Sequence, residues 1–212
     1  MPNWCNNWVE LTHEDPEMIK KAFTGLENGE LLQTLVPCPQ ELRDTVSGFL
    51  GDGDEQKKLE EQSARNVEKY GFANWYDWCV NNWGTKWDVG EQGNNDIHPN
   101  GLLLTAGFDS AWSPPVEAYN KLQELGFKVR AMYYEPGMAF AGIYEDGDDD
   151  CYNLESMDSF QVSQAIPSEL SDMFGIVESI QEYEAENQQE ELTEWIKDGI
   201  QKRAELVDSP KV

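Results

Sequence analysis

Asn7-Trp8-Val9-Glu10-Leu11-Thr12 is the stretch of the sequence that decides the fold, because apolar and polar side chains alternate along it. A repeat of two residues predicts a β-strand with one buried face. Asp15 and Pro16 then supply a helix N-cap and a proline at the first helical position, and Gly25 lies near the predicted stop. The chain therefore begins with a strand followed by a helix.

The same two patterns recur after residue 85. Alternating or apolar stretches predict four further strands, at 86–89, 102–108, 129–135 and 139–144. Ser113-Pro114 repeats the signature of a cap followed by a proline, and it predicts a second helix that ends at Gly126. The resulting order β-α-insertion-β-β-α-β-β predicts an α+β fold. Its expected form is a ferredoxin-like split βαβ antiparallel sheet with one added strand and two helices on one face.

Two segments fall outside this order. Residues 28–82 are predicted as a helical insertion that caps the core, with a polar helix at 54–70 and an aromatic, helical segment at 72–83. Residues 146–212 are predicted as an acidic helical extension, in which helices at 168–186 and 189–207 form a hairpin docked on the core. The domain prediction is therefore 1–145 for the ferredoxin-like domain and 146–212 for the extension.

Charge is the most unusual property of the composition. The chain has 41 acidic and 15 basic residues, a formal net charge of -26, and residues 146–212 carry over half of it. A field of this sign repels nucleic acid and anionic membranes, so direct binding to either is not expected. Three interpretations stay open: a solvated surface kept for solubility, recognition of a basic partner protein, and imitation of the DNA phosphate backbone.

Membrane, metal and cofactor classes receive no support from the sequence. No apolar stretch approaches the roughly 18 residues needed to span a bilayer, and the N-terminus lacks the layout of a signal peptide, so we expect a cytoplasmic protein. The four cysteines lie far apart without a C-x-x-C pair, which argues against a zinc site or a disulfide framework. The acidic run 146–150 departs from EF-hand spacing, so it is predicted as a solvated loop without metal. No cofactor is expected.

Four motifs in order point to a family: the start at 1–7 (Met-Pro-Asn-Trp-Cys-Asn-Asn), the segment 83–88 (Trp-Gly-Thr-Lys-Trp-Asp), the turn 111–115 (Ala-Trp-Ser-Pro-Pro) and the hairpin 134–142. Together they resemble the Api92-like, or YubB-type, ferredoxin-like domain of bacteriophage and plasmid proteins, over about residues 1–145. The resemblance implies a ferredoxin-like fold without an iron-sulfur cluster and an origin in a phage or another mobile element. It implies no catalytic role.

One group of candidate residues would form a ligand pocket. On the predicted strand 86–89, Lys86 and Asp88 share a face and lie about 7 Å apart, with Trp87 on the other face and Trp83 nearby. This arrangement can hold a small anionic ligand. The alternative is structural: Trp83 and Trp87 are core aromatics, and Lys86 pairs with Asp88 or Glu135.

Two further candidates lie at turns. Trp112 and Ser113 precede two prolines, which is typical of a helix start, although a helix N-terminus after a strand also attracts anions. Glu135 precedes Pro136-Gly137 and is predicted as a turn or salt-bridge residue rather than a general base. An enzyme would have to combine Lys86, Asp88, Asp109 and Glu135, and we do not expect one.

The C-terminal helices supply the candidate partner-binding surface: Glu182, Glu186, Glu190, Glu191 and Glu194. Their apolar stripes are assigned to packing on the core or on each other, or to a homodimer.

The leading hypothesis is a phage or mobile-element accessory protein of host takeover or anti-defence. It would bind a basic host protein, one that handles nucleic acid, and inhibit or redirect it, with DNA mimicry as one form of this role. The alternative is a nucleotide-binding sponge that uses the Trp/Lys pocket.

Overall fold

The computed structural model describes residues 2–90, 93 and 95–208, with the backbone only at 201 and 203–208. The strands are β1 (Trp4–Thr12), β2 (Asp96–Ile97), β3 (Leu103–Ala111), β4 (Lys128–Glu135), β5 (Phe140–Glu145) and β6 (Asp148–Asn153). The helices are α1 (Pro16–Glu27), α2 (Leu31–Leu35), α3 (Gln40–Arg43), α4 (Asp54–Tyr70), α5 (Trp75–Trp83), α6 (Val116–Glu124), α7 (Ser159–Ala165), α8 (Ser168–Phe174) and α9 (Ile176–Asp208).

The strands in the described residues form one antiparallel sheet with the order β2-β3-β1-β4-β5-β6. Strand β1 lies between β3 and β4, and its register places Val9 beside Ala106 and Ala131. Alternate residues of β1 are buried, as the period of two predicts. The predicted α+β class is therefore confirmed.

The local sequence patterns correctly predict three features: β1, α1 and the hairpin of β4 and β5. The Asp15 carboxylate accepts a hydrogen bond from the backbone N–H of Glu17, so Asp15 is the N-cap and Pro16 the first helical residue of α1. Strands β4 and β5 pair on either side of the turn that contains Pro136 and Gly137. The helices predicted in the insertion are also present, as α4 and α5.

The predicted strand at 86–89 is wrong. This segment is irregular, and the strand that pairs with the outer edge of β3 is the two-residue β2. The physical reason lies in Asp88, whose carboxylate accepts hydrogen bonds from the backbone of α2, more than fifty residues earlier in the chain. The segment is therefore held against helices instead of pairing along the sheet.

By its contacts the chain divides into two compact units, Met1–Glu155 and Ser156–Val212. The first unit contains the sheet, including β6. Residues 148–153, which include most of the acidic run predicted as a solvated loop, form β6 and pair with β5, so that prediction is wrong. These acidic residues belong to the edge strand of the sheet, because β6 pairs with β5 and is the last strand in the order.

The second unit contains α7, α8 and α9. The predicted helical hairpin is wrong, because residues 176–208 form one continuous helix. The helical stretch breaks earlier, at Gly175, whose φ of 62° lies in the left-handed region that favours glycine. No Gly or Pro occurs between 176 and 198, so nothing interrupts α9 where the turn was predicted. Among the described residues no helix is both long and apolar enough to cross a membrane.

Candidate functional site

A cleft of about 280 Å³ lies where the loops around α2 meet α5 and the segment that follows it. Its lining includes four sequence-predicted residues: Trp83, Lys86, Trp87 and Asp88. Helix α5 positions the first of them, since Asn74 caps its N-terminus and Gly84, with a φ of 81°, ends it immediately after Trp83. The chain then turns and carries Lys86 to the rim of the cleft.

Lys86 is the cation of this site. Its Nζ lies 4.4 Å from the centroid of the Trp87 ring and 5.8 Å from that of Tyr76. Among the described residues it has no carboxylate within ion-pair distance, so the predicted pairing with Asp88 or Glu135 is wrong. Cation–π contacts stabilise an ammonium group without neutralising it. Lys86 is therefore the group of this site that would pair with an anionic ligand.

Asp88 has a structural role. Its Oδ1 accepts hydrogen bonds from Leu32 N at 2.7 Å and from Val89 N at 2.8 Å, and its Oδ2 accepts one from Gln33 N at 2.8 Å. These bonds satisfy backbone donors at the start of α2. Burial raises the pKa of Asp88 above its usual value, and the three backbone bonds offset part of that shift. The predicted strand face shared with Lys86 does not exist.

The two tryptophans of the cleft differ in role. Trp83 is buried, its indole N–H donates to the carbonyl oxygen of Val36 at 2.8 Å, and its ring meets Trp78 edge to face. Trp83 is thus the core aromatic that the structural alternative predicted. Trp87 is 39% exposed and its ring lies 6.0 Å from that of Trp4, which is also exposed. Trp87 is therefore free to contact a ligand.

A second cavity of about 230 Å³ is lined by Tyr76, Gly84, Lys86, Trp112 and Ser113, among others. Lys86 lines both cavities. The Ser113 hydroxyl donates to the carbonyl oxygen of Gly84 at 2.6 Å and does not cap α6, so its predicted capping role is wrong. Trp112 has a φ of 73° and is half exposed, and it lines the cavity that Lys86 also lines.

Glu135 and Asp109 lie outside both cavities. Glu135 is buried and accepts hydrogen bonds from the backbone N–H groups of Gly137 and Met138, which confirms its prediction as a turn residue. Asp109 accepts from the Asn6 side chain at 2.7 Å. The structure does not bring the four residues of the enzyme hypothesis into one cavity.

Sequence reasoning missed several cleft residues. Four further residues line the cleft: Arg43, Trp75, Cys38 and Cys79. Tyr76 lies beside Lys86. The Asn74 cap could have located Trp75 and Tyr76 at the first turn of α5. The cysteines carried no signal because they meet only in the fold. Burial raises the pKa of both thiols, so they are uncharged at neutral pH.

The predicted partner-binding acids lie on α9. Glu182, Glu186, Glu190, Glu191 and Glu194 are all exposed. Glu184, in the same run, accepts hydrogen bonds from the backbone and hydroxyl of Ser159 and so holds α7. The five exposed carboxylates form no ion pair with a described residue. They are available for an outside contact. Among the described residues no group of three His, Cys, Asp or Glu side chains is arranged to hold a metal ion.

Comparison with protein families and with curated proteins found no match. Among solved structures, the chain is similar to the crystal structure of the protein Api92 from Yersinia pseudotuberculosis, described with the family model DUF1281. The TM-score is 0.38 and the sequence identity 13%, over 72% of this chain and 98% of that chain.

Proposed function

We propose that this protein acts by non-catalytic binding and that α9 is its contact with a basic partner protein. The observation that carries the proposal is a set of five exposed carboxylates on one helix, none of which forms an ion pair with another described residue: Glu182, Glu186, Glu190, Glu191 and Glu194. A surface of one sign steers oppositely charged partners and selects among them. Basic clefts are typical of proteins that handle nucleic acid, and occupying one would inhibit or redirect such a protein.

The spacing of these acids favours recognition over solubility alone. Glu182, Glu186, Glu190 and Glu194 are four residues apart, about 6 Å along a helix axis. Like charges at this spacing destabilise a helix by about 0.2–0.5 kcal/mol per pair. An acidic surface kept only for solubility could avoid this cost by placing the acids elsewhere. The regular row suits a partner with regularly spaced cations.

The resemblance of the four motifs to phage and plasmid proteins supports a mobile-element accessory role, in the host cytoplasm. The anti-defence and DNA-mimic roles are specific forms of the same proposal. The strand order β2-β3-β1-β4, with antiparallel neighbours, is the order expected of a split βαβ unit and supports a ferredoxin-like topology for the first unit.

The test is to change all five acids of α9 to Gln and to compare capture of host-lysate proteins at low and high salt. A matched control changes five exposed acids of the first unit to their amides and so removes the same charge: Asp52, Glu55, Glu60, Glu61 and Glu68. We expect a salt-sensitive partner that the α9 variant loses and the control retains. Equal loss in both variants would show that only net charge matters and would refute the role of α9.

A second candidate function, binding of a nucleotide in the cleft, is favoured by one observation. Lys86 is a cation without an ion-pair partner among the described residues, and it lies against Trp87 and Tyr76 at the rim of a cavity. A phosphate can pair with Lys86 while a base stacks on an exposed ring. This is the arrangement that a nucleotide sponge requires.

The test titrates the protein with AMP and GMP by calorimetry. Lys86→Ala should abolish binding, with the fold intact by circular dichroism. Lys58→Ala, at an exposed lysine that does not line the cleft, should leave binding unchanged. Equal binding by wild type and Lys86→Ala, or no binding by wild type, would remove the nucleotide hypothesis. It would leave the proposal for α9 untouched.

A further inference from the structure

Helix α9 exposes an apolar stripe in its second half. Leu192 is 48% exposed, Trp195 73%, Ile196 46% and Ile200 66%. At 3.6 residues per turn these four side chains fall within an arc of about 140°. Gly199 lies in the same arc and leaves open space around it. A cluster of large apolar side chains this exposed is typical of a surface that another protein covers.

The stripe and the acids occupy different sides of the helix. By the same helical geometry, Glu190 and Glu194 point away from the stripe. Glu186 and Glu191 lie about 40° outside its two borders, and Glu182 lies on one border. A partner that covers the stripe therefore leaves most of the acidic row in solvent. The two surfaces can act at the same time.

We propose that the apolar stripe of α9 packs against the same stripe of a second copy of this chain, with the two helices antiparallel. A twofold pair needs a surface that complements itself. Here the apolar residues meet at the centre, and Glu190 and Glu194 of each copy face away from the contact. In a pair centred on Ile196, Leu192 of one copy lies opposite Ile200 of the other.

Charge along the helix selects the antiparallel arrangement. Residues 176–194 contain seven glutamates and no Lys or Arg, whereas Lys197 and Lys202 lie beyond them. A parallel pair would place the two acidic halves side by side. An antiparallel pair brings Lys202 level with residue 190 of the other copy, on the border where Glu191 lies. Lys202 now pairs with Asp198 of its own helix, and both side chains are exposed, so it can also reach across.

The first test measures the mass of the full chain by sedimentation equilibrium. We expect a dimer, and we expect Trp195→Glu combined with Ile200→Glu to weaken it at least ~100-fold, because buried charges replace the central apolar contacts. The control, Glu190→Gln combined with Glu194→Gln, should still dimerise. Circular dichroism confirms that each variant remains helical. A monomeric wild type, or a dimer that the first variant retains, would overturn the proposal.

The second test determines the direction of the helices by disulfide cross-linking in a Cys151→Ser background, which removes the exposed native thiol. A mixture of Leu192→Cys and Ile200→Cys copies should cross-link, and either copy alone should not. Cross-linking of each variant with itself would indicate parallel helices and overturn the antiparallel proposal. These results are separate from the proposed function, because the variant with five Gln substitutions keeps the stripe.

Discussion

The Lys86 cleft and the second half of α9 are both exposed surfaces, but they are built in opposite ways. In the cleft, hydrogen bonds hold Trp83 and Asp88 to residues 36, 32 and 33, far away in the sequence. Lys86 there contacts the rings of Trp87 and Tyr76 and has no ion-pair partner among the described residues. In α9, Leu192, Trp195 and the acidic row rest on a single helix and face solvent. A preorganised cleft suits a small ligand, whereas an open helix face suits a protein surface.

The largest expected difference in the free energy of unfolding comes from replacing one tryptophan by alanine in each region. Trp83→Ala should lower the free energy of unfolding by about 3–5 kcal/mol, because it leaves a cavity and an unpaired Val36 carbonyl. Trp195→Ala, at an exposed position, should change it by no more than ~0.5 kcal/mol at protein concentrations too low for association. Urea unfolding followed by circular dichroism measures both. Similar losses would mean that the two regions are packed alike.

A glycine pair should give effects of opposite sign. A Cβ at Gly142 would lie 2.2 Å from the Tyr133 hydroxyl and 2.8 Å from the Asp150 carbonyl oxygen, so Gly142→Ala should cost about 1–3 kcal/mol of stability. A Cβ at Gly199 meets nothing within 4 Å, and Gly199→Ala should stabilise α9 by about 0.5–1 kcal/mol. Thermal unfolding compares the two variants. Destabilisation by Gly199→Ala would show that close packing at the stripe requires a residue without a side chain at position 199.

The smallest expected effect concerns an exposed ion pair of the first unit. The hydrogen bond that Lys69 donates to the Glu41 carboxylate lowers the pKa of Glu41 below its usual 4.5, and the hydrogen bond from Tyr70 adds a smaller effect in the same direction. A carboxyl whose pKa is lower in the folded state stabilises the fold above its unfolded pKa, and this contribution is lost as pH falls through the lower folded pKa. Glu41→Gln should therefore be slightly less stable than wild type at neutral pH.

The difference between wild type and Glu41→Gln should vanish in acid. Urea unfolding at a series of pH values from neutral to about pH 3 measures it. Asp198→Asn is the matched variant for the second region: it removes the carboxylate of an exposed ion pair within α9, as Glu41→Gln does in the first unit. A constant difference for Glu41→Gln across the series would contradict the role of the Lys69 contact.

How much the sequence reveals depends on how far apart the interacting residues are. The Asp15 cap and the turn that Glu135 closes rest on neighbours within three residues, and both were predictable. Asp88 was misassigned because its hydrogen-bond partners are 55 and 56 residues away. An alternating pattern alone cannot distinguish a strand from a segment held by such distant bonds.

Residue by residue, the candidate site divides in the same way. Lys86 and Trp87 were predicted from a strand that does not form, and both nevertheless line the cleft. Tyr76 was missed because it reaches Lys86 from the preceding helix. The continuous α9 was also readable in principle. The decisive signals were Gly175 and the absence of any later breaker before Gly199, and these carry more weight than the apolar period.

Strand β6 has a consequence for behaviour at high concentration. It borders the sheet, and an exposed border strand offers unpaired backbone groups to which another molecule can add a strand. Its first three residues are Asp148, Asp149 and Asp150, all exposed, and a second molecule docking there would bring a like set of charges against them. At the other border, β2 is only two residues long. Both borders of the sheet are thus poor templates for fibrils, one because of its charge and the other because of its length.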